Sequence, residues 1–211
     1  MGALALLVLL AGARAGGAAT PAPPPPAVAA TDPQAMLRTA IDDVLAIAYP
    51  EKPAADQPAP ASLVTRLRPL LEKSFSFDLL TRSAVGPGWS QIKPEDQKRL
   101  TSLFTDVVIR TYADKFEPGD RPKISYGKPV EIDANRRDLP TTITYAGKTY
   151  AVTYTVRQLP EGWRIYNVNI EGVSMVANYR AQFDPLFQKG GGAAIIAALE
   201  KNLADFATTQ K

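Results

Sequence analysis

A change in hydrophobic period in the second half of the chain constrains the fold more than any other feature. Apolar residues recur at helical spacing over much of residues 34–116, but residues 149–158, TYAVTYTVRQ, alternate strictly between two faces. The face with the larger apolar side chains consists of Tyr150, Val152, Tyr154 and Val156. This alternation predicts a strand of an antiparallel sheet with one face buried and the other in water.

Two further strands bracket this one at hairpin spacing. We predict them over residues 141–145 and 163–170, joined to the central strand through residues 146–148 and 159–162. Both gaps contain glycine, and short glycine-containing gaps between alternating runs are typical of β-hairpins. Residues 124–132 are predicted as a fourth strand, which gives a four-stranded meander.

The residues before the sheet predict four helices, and the first three lie before residue 89. The first covers residues 34–48, and the second covers residues 62–73 with a break or kink expected at Pro69, because proline lacks the backbone N–H that a helix interior needs. The third covers residues 77–85 and ends at Gly86-Pro87-Gly88.

A longer helix is predicted from Pro94, since proline suits the first helical position, and its apolar stripe continues to Phe116. Two helices end the chain, over residues 174–188 and 193–208, separated by three glycines at 190–192. Helices, then a meander, then helices predict an α+β domain with the helices on one face of a curved antiparallel sheet. Such a cup either closes completely or leaves an apolar cavity, and the pattern alone does not choose between them.

The amino-acid composition excludes most kinds of catalytic site. The chain has no Cys and no His, so Ser174, which follows Gly172-Val173, has no imidazole to activate it. Residues 172–176 also lack the second glycine of a G-x-S-x-G nucleophile elbow. Ser174 is therefore predicted to cap the helix that starts there. Without imidazole or thiolate, zinc and copper sites are not expected, and we expect neither a metal nor a cofactor.

The first residues indicate export. An apolar run over residues 3–11 is followed by Ala13-Arg14-Ala15, the arrangement of a secretory signal peptide with its cleavage site. We therefore expect a signal peptide at 1–15, a disordered Pro/Ala-rich spacer at 16–33, and a single domain at 34–208 in the periplasm.

The charge balance gives no support to nucleic-acid binding. The chain has 24 Lys and Arg against 21 Asp and Glu, a net charge of +3, and no basic block stands out. Proteins that bind nucleic acids usually present a strongly basic patch to the phosphates. We expect a monomer that binds no nucleic acid.

Three segments resemble one protein family. They are FDLLTRSAVGPGW at 77–89, TYADKF at 111–116 and WRIYNVNIEGVSMVANYRAQF at 163–183. The chain resembles the MlaC or toluene-tolerance family, the periplasmic auxiliary components of phospholipid ABC transporters, over about residues 34–206. AVGPGW and YADKF resemble its hopanoid-associated branch at least as well.

The resemblance implies a cup related to the NTF2-like shape, with acyl chains between sheet and helices. It implies a soluble carrier that moves phospholipid or a hopanoid-like lipid between an outer-membrane lipoprotein/porin complex and an inner-membrane ABC transporter complex, in support of outer-membrane lipid asymmetry. The segment EGVSMV is then a structural bend before a helix of the pocket wall.

A lipid slot requires apolar side chains that leave no polar atom without a partner. The candidate lining residues are Phe104, Val107, Val108 and Tyr112 on the long helix, Tyr150, Val152, Tyr154, Val156, Ile165 and Val168 on the sheet, and Met175, Val176, Tyr179, Phe183 and Phe187 on the following helix. The pattern does not decide which face of the strand at 163–170 points inward, so Ile165 and Val168 are both included. Arg82 and Arg180 are candidates for contact with a lipid phosphate.

Two other functions compete with a carrier. NTF2-like cups also host enzymes, so an enzyme acting on a small apolar substrate is one alternative, although such sites usually use a histidine or paired carboxylates. A domain without a cavity that only binds other proteins is the second. A continuous apolar cavity and copurifying lipid distinguish a carrier from both.

Overall fold

The computed structural model of the protein describes residues 32–50, 60–113 and 120–209. The predicted signal peptide and most of the predicted spacer lie outside these ranges, and so does Phe116 at the end of the predicted apolar stripe. Within the described ranges, no helix is both long enough and apolar enough to cross a membrane.

The elements follow the predicted order of helices, sheet and helices, so the α+β class is confirmed. They are α1 (Pro33–Ala48), α2 (Pro60–Ser74), α3 (Phe77–Val85), a short 3₁₀ helix (Gly86–Gln91), α4 (Pro94–Ala113), β1 (Lys123–Tyr126), β2 (Val130–Asp133), β3 (Arg136–Tyr145), β4 (Lys148–Leu159), β5 (Gly162–Ile170), β6 (Val173–Ser174) and α5 (Met175–Thr209).

The described part of the sheet has six strands, and the prediction of four was wrong. The strand order is β1-β3-β4-β5-β6, all pairs are antiparallel, and β2 pairs with β3 on the same side as β1. The strand predicted over residues 124–132 is thus two short strands, and the sixth strand is the two-residue β6 that pairs with the end of β5.

A proline explains why the edge strand is split. β1 pairs with the β3 residues from Thr141 onward, and β2 pairs with those up to Asp138. Pro140 lies in the gap between these two sets and has no N–H to offer an edge partner. Its carbonyl is used instead, accepting a 2.9 Å hydrogen bond from the Gly127 N–H in the turn between β1 and β2.

Two tight turns close hairpins where the sequence contains X-Gly. Ala146 and Gly147, between β3 and β4, have φ values of 48° and 75°, and Glu171 and Gly172, between β5 and β6, have values of 50° and 86°. Positive φ at both central residues is the signature of the type I′ turn, whose twist matches that of the flanking strands. Glu171 is held there by Ala151, whose carbonyl accepts the Glu171 N–H at 2.9 Å.

Two helix predictions had different outcomes. α2 runs through Pro69 without the predicted break; the proline ring is exposed, so the missing backbone hydrogen bond lies on the solvent side, where a helix tolerates the loss better. α5 is interrupted as predicted, because Gly190 and Gly191 leave helical geometry, and Gly191 has a φ of 60°. Glycine adopts that conformation without the steric cost that a side chain would bring.

Helices α3, α4 and α5 pack on one face of the sheet around an aromatic centre. The ring of Phe104 on α4 meets Tyr179 and Phe183 on α5 edge to face, with centroids 4.6 Å and 5.1 Å apart. All three side chains are buried in the main core. This solid region occupies one part of the space under the sheet, while α1 and α2 cover the remainder.

Candidate functional site

A cavity of about 210 Å³ lies between the sheet and helices α1, α2 and α4, and it is partly open to solvent. Its lining side chains are almost all aliphatic or aromatic, and they include no Asp, Glu, Lys or Arg. A void lined in this way offers a hydrophobic ligand dispersion contacts and offers water few hydrogen-bond partners.

Helix α1 forms one wall of the cavity. Asp32 caps its first turn by accepting a 3.0 Å hydrogen bond from the Gln34 N–H. Leu37, Ile41, Val44 and Leu45 on one stripe all line the cavity; Leu37 and Leu45 are buried, and Ile41 and Val44 are half-buried. The amphipathic stripe that makes this segment a helix thus also supplies the apolar wall.

A β-bulge allows two residues of β5 to face the cavity together. Opposite the consecutive β4 residues Thr155 and Val156, β5 places Asn167 and Ile165, so Tyr166 is an extra residue on that strand. A bulge reverses the alternation of side chains beyond it. For this reason Ile165 and Val168, three residues apart, are both buried and both line the cavity.

The few polar side-chain groups of the wall are hydroxyls, and two of its tyrosines have shifted pKa values. Burial, reinforced by the nearby Tyr179, raises the pKa of Tyr112 well above its usual range. Burial, reinforced by Tyr126, does the same to the pKa of Tyr154. Ser74 donates its hydroxyl hydrogen to the Leu70 carbonyl at 2.9 Å. Beyond the hydroxyls of Ser74 and three tyrosines, the lining side chains include no Asp, Glu, Lys, Arg, His or Cys.

Polar contacts, rather than a packed core, join α1 to β1 beside the cavity. Gln34 donates to the Gly127 carbonyl at 2.6 Å, and the guanidinium of Arg38 lies 3.8 Å from the centre of the Tyr126 ring. Asp42 and Arg121 form a long ion pair of 3.8 Å. We name this line of contacts the α1–β1 seam. Exposed ion pairs contribute about 0–1 kcal/mol each, so the seam is weak compared with the core.

The cavity contains six of the fifteen candidate lining residues. They are Val108, Tyr112, Tyr154, Ile165, Val168 and Met175. The other nine are not among its lining residues: Phe104, Val107, Tyr150, Val152, Val156, Val176, Tyr179, Phe183 and Phe187, all of which belong to or pack against the main core. The predicted sheet face is buried as expected, but the cavity lies under only part of it.

The two candidate phosphate ligands do not line the cavity. Arg180 donates from Nε, at 3.2 Å, and from Nη2 to the Ser83 carbonyl at the end of α3, a contact within the protein. It also lies against Gly86, where an added Cβ would come within 3.2 Å of Arg180 Nε. Arg82 is exposed on α3.

Ser174 has the structural role that the sequence predicted. Its hydroxyl oxygen accepts a 3.2 Å hydrogen bond from the Ala177 N–H in the first turn of α5 and donates its own hydrogen to Asn167 at 3.0 Å. The same Asn167 oxygen accepts the Val176 N–H at 3.1 Å. The two side chains together satisfy two of the free N–H groups at the helix start.

Sequence reasoning missed most of the wall. The missed lining residues are Leu37, Ala40, Ile41, Val44, Leu45, Tyr49, Leu67, Leu71, Ser74, Phe75, Phe77, Ile109, Ala113, Pro122, Ile124 and Ile143. The signal that could have found some of them was the apolar stripe of α1. Within the described ranges, no group of three or more acidic side chains could hold a metal ion.

The fold and the cavity define a class, that of α+β domains in which helices and a curved antiparallel sheet enclose an uncharged apolar cavity. The sequence profile of the MlaC protein family matches residues 38–201, which is most of the chain, and the chain therefore belongs to the MlaC family. Comparison with curated protein sequences gives no match.

A solved structure supports the same relationship. The phospholipid-binding protein from Ralstonia solanacearum, solved in complex with a phospholipid, is similar to this chain with a TM-score of 0.76 and 29% sequence identity. The match covers 84% of this chain and 99% of that one. The similarity extends over nearly the whole of the other protein.

Proposed function

We propose that this protein is a periplasmic carrier that binds phospholipid and moves it between membranes. The observation that carries the proposal is the uncharged apolar cavity, found in a member of the MlaC family whose structural relative holds a phospholipid. The acyl chains occupy the cavity, and the headgroup stays in water.

The energetics of lipid transfer favour such a cavity. Removing one CH₂ group from water contributes about 0.8 kcal/mol, so a lipid leaves a bilayer only for an equally dry environment. The wall meets this requirement, because Tyr112 and Tyr154 stay neutral and its one serine is hydrogen-bonded to its own helix. A catalytic role finds no acid or base in the same wall, and a domain without a cavity does not match this structure.

The cavity enlarges when lipid enters. A cavity of about 150 Å³ holds one benzene ring, whereas two acyl chains need several times the 210 Å³ present here. The α1–β1 seam is the wall that moves, because it is held by the contacts of Gln34, Arg38 and Asp42 rather than by a continuous core. Parting these contacts is cheap compared with opening the aromatic centre around Phe104.

The proposed cellular role follows the family. Residues 1–15 direct export and residues 16–33 act as a spacer before the lipid-binding domain at 34–208. The cargo passes between an inner-membrane ABC transporter complex and an outer-membrane lipoprotein/porin complex. A reporter fused to residues 1–33 tests export directly: we expect it in the periplasm, shortened by about fifteen residues, and an intact fusion in the cytoplasm would refute export.

Native mass spectrometry of protein purified without detergent tests binding. We expect one lipid per chain, and extraction followed by lipid analysis should identify a diacyl phospholipid. A hopanoid-like lipid in its place would keep the carrier function and change the cargo. Protein that is lipid-free after purification, and that stays lipid-free after incubation with phospholipid vesicles, would refute the proposed function.

A further inference from the structure

Three arginines form a row across the outer face of the sheet, the face opposite the helices. Arg157 on β4 is the direct partner of Arg136 on β3 and of Arg164 on β5. Direct partners in neighbouring strands point to the same face. The next position along the strands holds the buried Val156, so the arginines face away from the core. At the usual strand spacing, the row is about 10 Å long.

This arrangement is unfavourable for the isolated protein, because like charges directly opposite each other destabilise a sheet. Asp133 offsets one of the three charges, since it accepts a 2.6 Å hydrogen bond from Arg136. Within the described residues, no acidic side chain forms an ion pair with Arg157 or Arg164, and Arg164 donates only to the Trp163 carbonyl. Two adjacent guanidinium groups are therefore left without a counter-charge.

Most other outward positions near the arginine row carry no charge. On β4 and β5, the outward positions next to the row carry Thr153, Thr155, Asn167 and Asn169, which are uncharged, and on β3 they carry Asp138 and Pro140. The one carboxylate among these positions is that of Asp138, which accepts a 2.8 Å hydrogen bond from Thr155 and is therefore already engaged. The two arginines without an ion pair among the described residues, Arg157 and Arg164, lie near the end of the sheet where β4 turns into β5.

We propose that this arginine row is a docking site for an acidic patch on a partner protein, in which two carboxylates lie about 5 Å apart, one strand spacing. The site lies on the opposite face of the sheet from the cavity, so docking leaves the cavity wall free. A protein patch fits better than a membrane surface, because the row is short and exposed acids lie at the same end of the sheet. These are Glu131, Asp133 and Glu161. The net charge of +3 also gives little general attraction to an anionic bilayer.

The test uses the full chain and a fluorescent hexaglutamate peptide as the probe. Binding is followed by fluorescence anisotropy at low and at physiological ionic strength, for wild type and for Arg157→Gln/Arg164→Gln. The matched control is Lys98→Gln/Lys189→Gln, which removes two positive charges from exposed positions on α4 and α5. Phosphatidylglycerol vesicles and inorganic phosphate are tested in parallel, and melting temperatures are measured for all three proteins.

We expect the wild type and the lysine control to bind the peptide alike, and the arginine variant to bind about tenfold more weakly or worse. The arginine variant should melt at the same temperature as wild type or up to about 4 °C higher, because a repulsion has been removed. Three results would overturn the proposal: equal loss of binding in the lysine control, a lower melting temperature in the arginine variant, or binding to the vesicles or to phosphate but not to the peptide. We expect the same lipid content in all three proteins, because none of the substituted residues lines the cavity, so this test is independent of the proposed carrier function.

Discussion

Two valines on the same face of the sheet allow the cavity to be tested with a matched pair of substitutions. Val168 on β5 and Val152 on β4 are 4% and 3% exposed, but only Val168 lines the cavity. Val152 lies between its strand partners Thr141 and Ile170 in the solid part of the core. Replacing each valine with tryptophan adds the same side chain to a void in one case and to packed atoms in the other.

Val152→Trp should mainly reduce stability, and Val168→Trp should mainly reduce lipid binding. Overpacking a solid core costs about 1–3 kcal/mol, so Val152→Trp should lower the melting temperature by roughly 2–12 °C for a domain of this size. A void of about 150 Å³ already holds a benzene ring, so the cavity of about 210 Å³ accepts the indole of Val168→Trp with little change in stability. If that ring displaces about four methylene groups of a lipid, binding weakens by about 3 kcal/mol, which is more than about a hundredfold.

The assay measures both quantities on the same samples. Melting temperatures are taken on delipidated protein, because bound lipid would itself stabilise the folded state. Lipid occupancy is then measured by extraction after incubation with vesicles. Val168→Trp should lose lipid and keep its stability, while Val152→Trp should lose stability and, where folded, keep its lipid. Full lipid occupancy in Val168→Trp, or equal destabilisation of both variants, would refute the placement of the acyl chains.

Three further predictions concern the surrounding structure. Ser174→Ala should lower the free energy of unfolding by about 1 kcal/mol in urea denaturation without changing lipid transfer, and loss of transfer in the folded variant would indicate a role beyond capping. Gly88→Ala should lower the melting temperature, because its Cβ would lie 2.6 Å from the Phe187 ring, and an unchanged value would show that the ring moves freely. Above pH 10.0, the ordinary phenol pKa, the unfolded chain releases protons from Tyr112 and Tyr154 that the folded chain retains, so stability should fall as the pH rises. Tyr112→Phe/Tyr154→Phe should lose most of this alkaline loss of stability, measured by circular dichroism. If the stability of this variant falls with pH as much as that of wild type, other groups cause the loss.

The sequence predicted those parts of the fold that depend on local pattern. α3 begins and ends at the predicted residues, and the turn at Ala146-Gly147 lies within the predicted hairpin gap at 146–148, although β4 already begins at Lys148. The split of the edge strand was missed because it depends on Pro140, which lies in a different strand. Pairing between strands decides where an edge strand can hydrogen-bond, and a pattern within one segment does not contain that information.

The cavity was harder to predict for a similar reason. An apolar stripe shows that a helix face is buried, but the same stripe is compatible with a neighbouring side chain or with a void. Phe104 and Ile41 both belong to such stripes, yet Phe104 lies in the aromatic centre and Ile41 lines the cavity. The bulge at Tyr166 turns both Ile165 and Val168 inward. The apolar pattern of the strand changes phase there, from Trp163 and Ile165 to Val168 and Ile170, but this change alone does not show which half of the strand faces the cavity.

The most direct test of the account maps the acyl chain in the folded protein. A phospholipid with a photoactivatable diazirine near the end of one acyl chain is loaded into the protein, crosslinked by light, and located by peptide mass spectrometry. We predict crosslinks to Ile41 and Val44 on α1 and to Val168 on β5, across the cavity from one another. Crosslinks concentrated at Val152 or Phe183, or spread over the exposed surface, would contradict the claim that the cavity under α1 holds the lipid.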